Sequence, residues 1–334
     1  MLMARPTLAD IAKLAYSTAP TVSRVLRNEP GPSNATRTRV LAAARTLGYL
    51  GTPAGVIGLI IPDRRNPFFS GLGLIFQDLL ERFGLQVVLG SSDGCAEREL
   101  SLINRFRGMG LSGVLYIATG HASREVLSAL ETGNLPTVVL DRQVEAGKLD
   151  FVSVDNADGI RRAVDYLAAH GHRRIGFLKG LDGTTSAAAR AKGFRDSLAL
   201  DRLECRDEWV WEGDYRFGAG RLCAESLMAM TDRPTAVVAA NDAMAIGLIQ
   251  RLAEAGWALP HDLSITGFDN VDAAQWTYPA LTTIDQRTEL LARTAVDLLT
   301  ARMRALDETP QAVRPSSHVI VTPTLVPRAS VTSA

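Results

Sequence analysis

The chain is 334 residues long, 46% hydrophobic and 22% charged, enough to bury two or three compact cores and too apolar for disorder away from the termini. Cys95, Cys205 and Cys223 are spaced neither as a disulfide framework nor as zinc ligands, and the longest apolar runs, such as Val56 to Ile61, are strand-length. Asp10, Lys13 and Pro20 fall where a signal peptide needs an apolar core, so the expectation is a cytoplasmic protein with no membrane partner, no metal and no cofactor.

A net charge of zero hides an asymmetry. Residues 1–50 carry seven Lys and Arg against two acids, a balance of +5, and the remainder carries −5. Clustered charge of this kind is either a solvated helical face or a footprint for phosphates. The first elements bear on the choice. Thr7 can cap a helix whose third position is Asp10, with Leu8, Ile11, Ala12 and Ala15 forming one apolar stripe. Thr18 can cap a second helix, with Pro20 in the first turn and Val22, Val25 and Leu26 facing inward. Residues 28–32 break the chain, Ser33 is a good cap, and Val40, Leu41, Ala44 and Leu47 make a third stripe that ends at Gly48. Two short helices across a tight turn with a third helix closing the core predict a helix-turn-helix unit.

Thr7-Leu-Ala-Asp-Ile-Ala-Lys-Leu-Ala15, Thr21-Val-Ser-Arg-Val-Leu26, Thr36-Arg37, Arg39-Val-Leu41 and Leu47-Gly-Tyr49 together resemble the headpiece of the lactose and galactose repressor (LacI/GalR) family of transcription regulators. The resemblance implies that Ala19, Pro20 and Arg24 read base edges in operator DNA. It implies phosphate contacts for Thr21, Ser23 and Asn28, and puts Thr7, Thr18 and Arg37 on the same DNA-binding face. Thr21 and Ser23 could instead be plain helix-surface hydroxyls. Two positions depart from the family: Tyr16 stands where Gly is usual in the turn, and Ser17 where Val is usual. The turn is expected to survive with some strain.

From Val56 the sequence alternates strand-like and helix-like stretches, the pattern of an α/β fold with parallel sheets. The strands are read at 56–61, 86–89, 113–117 and 137–140, then at 174–178, 236–240 and 263–266. Ligands in such sheets sit beyond the carboxyl ends of the strands. The residues there are polar and aromatic: Asn66-Pro-Phe68-Phe69, Asp93, Asp141-Arg142, Thr184 to Ser186 with Arg190, Asn241-Asp242 and Asp269.

These motifs, with Gly171-His-Arg-Arg-Ile175 and Leu281-Thr-Thr283, resemble the same family's effector domain, which is similar to periplasmic sugar-binding proteins. The resemblance implies a headpiece over 1–50, a linker at 51–55 and an effector and dimerisation domain over 56–330. It further implies lobes of about 56–153 with 286–313, and 154–285 with 316–330, and crossings near Ser153, Asp285 and Arg314. A small-molecule effector, a sugar or sugar derivative with a purine-type ligand as the alternative, would lie between the lobes. Phe68, Phe69 and Tyr215 would pack on it. Asp141, Arg190, Asn241, Asp269 and Gln286 would hydrogen-bond it, and Asn66, Asp93, Arg142, Thr184 and Ser186 complete the candidate set. The implied partners are a pseudo-palindromic operator and a second copy of the chain, and repression is the expected mode.

Competing uses stand beside these. Asp141 or Asp269 could cap the following helix, Arg190 could make a surface salt bridge, one of Phe68 and Phe69 could be core packing, and Asp242 reads as a helix cap. Gly90-Ser-Ser92-Asp-Gly94 fits a nucleophile elbow, but no histidine is marked as Ser92's base. Gly108 to Gly113 fits a dinucleotide fingerprint, yet precedes a strand where that motif must follow one. His170 and His172 lack further ligands at metal spacing. A solute-binding protein shares the expected sheet architecture, and the headpiece argues against it. Finally, only six residues, 50–55, separate Tyr49 from Val56. They reach about 20 Å at most, and two glycines with a proline will not build the hinge helix and minor-groove leucine wedge usual in the family. A weaker operator bend is expected.

Overall fold

A computed structural model describes residues 7–26, 31–46, 55–120, 124–132, 135–144, 149–204, 206–308 and 315–334. Contacts divide the chain into one unit of residues 1–56 with 81–86 and a larger one of residues 57–80 with 87–334.

In the first unit lie α1 (Leu8–Leu14), α2 (Ala19–Leu26) and α3 (Asn34–Thr46). The Thr7 hydroxyl accepts the Asp10 N–H at 3.4 Å while the Asp10 carboxylate accepts the Thr7 N–H at 2.8 Å, the reciprocal capping box expected from the spacing. Thr18 and Ser33 accept the N–H groups of Thr21 and Thr36, at 3.4 and 3.3 Å. The three helices bury Ile11, Ala15, Val22, Val25, Val40 and Ala44 in one small core. Tyr16 holds the turn between α1 and α2 at φ +48°, with its ring almost wholly exposed. The turn has therefore kept the left-handed backbone that favours glycine. Asn28, the third helix's end at Leu47 and Gly48, and linker residues 51–54 lie outside the described residues.

The larger unit carries two sheets. Its chain runs β1 (Val56–Ile61), α4 (Pro67–Glu81), β2 (Gln86–Ser91), α5 (Ala96–Gly108), β3 (Gly113–Tyr116), α6 (Arg124–Thr132), β4 (Thr137–Leu140) and β5 (Asp150–Val154). It continues through α7 (Asn156–Ala169), β6 (Ile175–Leu178), α8 (Thr185–Asp201), β7 (Val210–Trp211), α9 (Phe217–Ala229), β8 (Ala236–Ala239), α10 (Asp242–Glu254) and β9 (Ser264–Thr266). The end is β10 (Thr283–Asp285), α11 (Thr288–Glu308), β11 (His318–Val321) and β12 (Thr324–Val326). A six-stranded sheet has the order β11-β5-β4-β3-β1-β2, and a four-stranded sheet the order β7-β6-β8-β9 with parallel pairings throughout. The antiparallel pair β10-β12 is separate. Strands β3, β4, β6 and β8 are buried along their whole length, which explains why they read as continuous apolar runs rather than alternating ones.

Two of the expected crossings fall where the chain changes sheet, after β5 and between β10 and α11, which packs on the six-stranded sheet. The third does not. Residue 314 is outside the described residues, but β11 still pairs in parallel with β5, from His318↔Phe151 to Val321↔Val154, so the chain leaves the first sheet after Val321. The segment 316–321 thus belongs with the first sheet, not the second. As an edge strand, β11 has only Val321 fully buried, and it lacked the all-apolar run that marked the inner strands.

Candidate functional site

One pocket collects Asn66, Phe68, Phe69, Asp141, Arg142, Ser186, Arg190, Tyr215, Asp269 and Gln286 around a space of about 220 Å³. The first five follow β1 and β4 of the six-stranded sheet. Ser186 and Arg190 lie on α8, Tyr215 follows β7, Asp269 follows β9, and Gln286 sits where the chain passes from β10 to α11. Ten of the thirteen positions expected from sequence are therefore together. The Asn66 Oδ1 accepts the Phe68 N–H at 3.0 Å, which orients the start of α4, and the two phenyl rings meet edge to face at 5.4 Å.

Arg190 is 3% exposed, not a surface residue. Its Nε donates to Asn156 Oδ1 at 2.7 Å and its Nη1 to the Ala240 carbonyl at 2.5 Å, its guanidinium lies 3.7 Å from the Phe268 ring centroid, and Nη1 is 3.7 Å from Asp269. Gln286 Nε2 donates to Asp269 at 2.7 Å. Burial drives the Asp269 carboxyl up to about 7; Arg190 and the Gln286 hydrogen bond pull it down, and the nearby Asp141 pushes it up again. Neither Asp141 nor Asp269 serves as a helix cap. Among the buried atoms of the described residues, Asp141 Oδ1, Arg142 Nε and Gln286 Oε1 have no hydrogen-bond partner. Arg142 otherwise donates to the Ala118 and Thr119 carbonyls and stands 5.8 and 5.6 Å from the centroids of Phe69 and Tyr215.

The remaining three positions are elsewhere. Asp93 lines an adjoining compartment of about 680 Å³ that shares Asn66, Phe69, Arg142 and Tyr215 with the pocket. Thr184 accepts the Ala187 N–H at 3.2 Å as the cap of α8 and donates to the Leu181 carbonyl, so its hydroxyl proton is engaged in the cap turn rather than in the pocket. The cap expected of Asp242 is made by Asn241, and neither residue lines the pocket. Asn241 caps α10 through the Met244 N–H at 3.1 Å and donates to the Tyr215 carbonyl, supporting Tyr215 and Asp269 from behind. Asp242 is fully buried beside Gly267 and accepts from the Thr283 hydroxyl at 2.5 Å and the Val271 N–H at 2.9 Å. Burial and the neighbouring Asp269 raise its carboxyl well above the usual range.

Sequence reasoning missed Asn156, the partner of Arg190, and Gly180, where a Cβ would fall 2.3 Å from the Tyr215 ring. A glycine two residues after a strand was the available signal for the second; nothing marked the first. Asp93, Asp141, Tyr215 and Asp269 all have positive φ, from +50° to +118°. Such concentrated backbone strain is characteristic of functional sites.

The decoys have structural occupations. Ser92 is fully buried, bonded to the Thr119 hydroxyl at 2.7 Å and the Ile61 carbonyl at 3.3 Å. His172 binds the Thr235 hydroxyl and Thr332 carbonyl, and His170 the Tyr166 carbonyl. Gly108 to Gly113 is the turn from α5 into β3.

In the first unit Thr7, Thr18, Pro20 and Arg24 are exposed, and Ala19, Thr21, Ser23 and Arg37 are half-buried. The Thr18 and Thr21 hydroxyls meet at 2.9 Å, and Thr7 also donates to Asp10, so three of these hydroxyls have intramolecular partners.

A helix-turn-helix unit on a chain whose second unit closes a polar, aromatic-walled pocket defines a ligand-sensing DNA-binding regulator. The comparisons agree: residues 7–51 match the model for bacterial regulatory proteins of the lacI family, and residues 164–331 match a periplasmic binding protein-like domain. Catabolite control protein A of Priestia megaterium is 30% identical over 307 residues, 89% of this chain and 92% of that protein. Among solved structures, a transcriptional regulator CelR–cellobiose complex superposes with a TM-score of 0.73 at 28% identity, covering 98% of this chain and 100% of the other. The lac repressor dimer bound to operator and the anti-inducer ONPF does so with 0.71 at 26% identity, covering 98% and 99%. The chain belongs to the LacI family of transcription regulators.

Proposed function

We propose that this regulator is a repressor that binds a pseudo-palindromic operator as a homodimer and is controlled by a sugar held between its two sheets. The observation that carries the ligand class is the pocket's composition. Phe68, Phe69 and Tyr215 offer apolar faces, while Asp141, Arg190, Asp269 and Gln286 offer groups that accept from and donate to hydroxyls. Its two acids and two arginines balance, which favours a neutral polyol over an ion. Cellobiose in one structural relative supports the class.

Operator binding is supported by the exposed Arg24 at the end of α2, by the basic headpiece, and by the dimer on operator in another relative. The exposed Leu74, Leu222, Trp276 and Tyr278 supply apolar surface for a partner copy. Ser92, buried and already bonded, supports binding rather than turnover as the protein's mode of action. No helix of the described residues is long and apolar enough to cross a membrane, and work on the chromosome implies the cytoplasm.

Selection of binding sites from random duplex DNA, followed by release or retention in the presence of a saccharide panel, tests the reading. Arg24→Ala is expected to cost roughly 1–3 kcal/mol on the selected operator and much less on random duplex. Equal loss on both would remove the base-reading role.

A further inference from the structure

We propose that Asn156 is the positioning residue that makes effector binding and the bend between the two sheets interdependent, because its one carboxamide holds both Arg190 of the pocket and the Val154 carbonyl of the crossing. This role rests on the saccharide reading above and concerns how that same site is regulated.

The ten residues that line the pocket are each no more than 6% exposed, so a ligand enters only when the two sheets part and is held only when they close. Parting the sheets bends the chain where it crosses between them. The crossing between Val154, the last residue of β5, and Asn156, the first of α7, is tied to the pocket from both sides. On the side of the first sheet, Ser153 Oγ donates to the Asp141 carbonyl at 2.7 Å and the Asp141 N–H donates to the Val152 carbonyl at 2.9 Å. On the other side, Asn156 Oδ1 accepts the Arg190 Nε–H at 2.7 Å. Asn156 Nδ2 then donates back across the crossing to the Val154 carbonyl at 3.2 Å. The Asp155 N–H, donated to the Val321 carbonyl at 2.9 Å, joins this crossing to the one that leaves the first sheet after β11.

The helix start does not need the Asn156 side chain. Asp155 caps α7 by accepting the Asp158 N–H at 2.9 Å. Asn156 is buried all the same, and its two partners define what must stand there: the Arg190 Nε–H can only donate and the Val154 carbonyl can only accept. A carboxamide meets both, whereas a carboxylate meets only the first. Asn156 and Arg190 also belong to one packed body, since α8 approaches α7 so closely at Gly193 that a Cβ there would fall 2.5 Å from the Ala157 carbonyl oxygen. Bending is thereby concentrated between Val154 and Asn156, the stretch that the Nδ2 bond spans. A ligand that engages Arg190 favours one bend there, and by linkage the bend sets the affinity for the ligand.

The test uses the full chain with ribose, glucose, maltose and cellobiose as probes, the tightest of them being carried forward. In the parent, saturation with that sugar is expected to slow hydrogen exchange over residues 150–160 by roughly five-fold or more and to change affinity for the selected operator. Asn156→Asp, which keeps an acceptor for Arg190 and loses the donor to Val154, is expected to bind the sugar close to parental affinity while both responses shrink by about five-fold. Asn156→Ala loses both bonds without adding charge, so it should show the same loss of response and, in addition, roughly ten-fold weaker sugar binding. Asp155→Ala removes the α7 cap and should speed exchange in α7 with the sugar response retained. Parental responses in both Asn156 variants would overturn the proposal and leave the saccharide reading standing. Equal loss of response in Asp155→Ala would also overturn it, by showing that general stability of α7 accounts for the effect. No probe binding to the parent would overturn the saccharide reading together with the role proposed on it.

Discussion

Asp269 carries the clearest consequence at the scale of single residues. Its folded-state pKa, raised to about 7 against 3.8 for an ordinary aspartate, means that the unfolded chain loses this proton first as pH rises. Its stabilising contribution is thus fully present below about pH 4 and is lost as pH climbs to about 7, with no further change above. Thermal unfolding of Asp269→Asn is expected to show a shallower fall over that window than the parent. Sugar hydroxyls donating to the carboxylate favour its ionised form, so effector affinity should rise by up to ten-fold per pH unit below about 7 and level off above. An affinity that declines with pH would show that the neutral acid is the binding form. Tyr16 gives a second residue-scale prediction. A left-handed backbone costs a non-glycine residue roughly 1–2 kcal/mol, and glycine returns about 0.5–1 of that through its freer unfolded chain. Tyr16→Gly should slow hydrogen exchange in α1 and α2 by roughly two- to five-fold. No slowing would mean that the exposed ring makes contacts that offset the strain. That Tyr16 stands where a turn glycine is usual came from the family resemblance, and its φ of +48° accords with the strain then expected. The raised pKa of Asp269 was not legible in the sequence, because it needs the burial created by Gln286, Arg190 and Asp141 from three other segments.

At the scale of elements, the turns after the strands position the pocket, and Gly180 after β6 is the one that packs directly on a pocket side chain. Its missing side chain leaves room for the Tyr215 ring, which arrives from beyond β7, and a methyl group would lie 2.3 Å from it. Gly180→Ala should therefore weaken effector binding ten-fold or more by displacing Tyr215, with a stability loss of about 1–3 kcal/mol typical of overpacking. Operator affinity without effector should be little changed, and calorimetry beside a DNA-binding titration separates the two; an unaltered effector affinity would remove Tyr215 from the site. The helix caps illustrate where element-level reading from sequence succeeds and fails. Thr7, Thr18 and Ser33 were legible because a cap is decided three residues away. The cap of α10 was read at Asp242 rather than Asn241 because both are good capping residues at the same strand end. The choice between them depends on the Thr283 hydroxyl and the Val271 N–H that receive Asp242 in the core.

The two sheets are held across the cleft by the Asp63–Arg216 pair, from the end of β1 to the start of α9. Burial alone would raise the Asp63 carboxyl, but the Arg65 N–H and the Arg216 guanidinium hold it below the usual range. With Arg216 39% exposed, solvent screening limits the pair to about 0.5–1 kcal/mol. Asp63→Asn should accordingly speed effector dissociation by roughly two- to five-fold in stopped-flow measurements and leave operator binding by the free protein unchanged. An unchanged dissociation rate would mean that the pair does not hold the cleft closed. The family resemblance placed Tyr215 and Gln286; the sequence by itself determined the three helices of the headpiece, the α/β class with seven of its strands, and the other eight residues that meet in the pocket. The helices, strands and those eight residues follow from local spacing: caps at three residues, apolar stripes at helical period, buried runs of strand length, and polar and aromatic residues at the carboxyl ends of parallel strands. Only the tertiary structure decided that β11 stays beside β5, that Asn156 holds Arg190, and that Asp63 finds Arg216 153 residues away. Which strand neighbours which, and how far each carboxylate is removed from water, are properties of the packed sheets and of no segment alone.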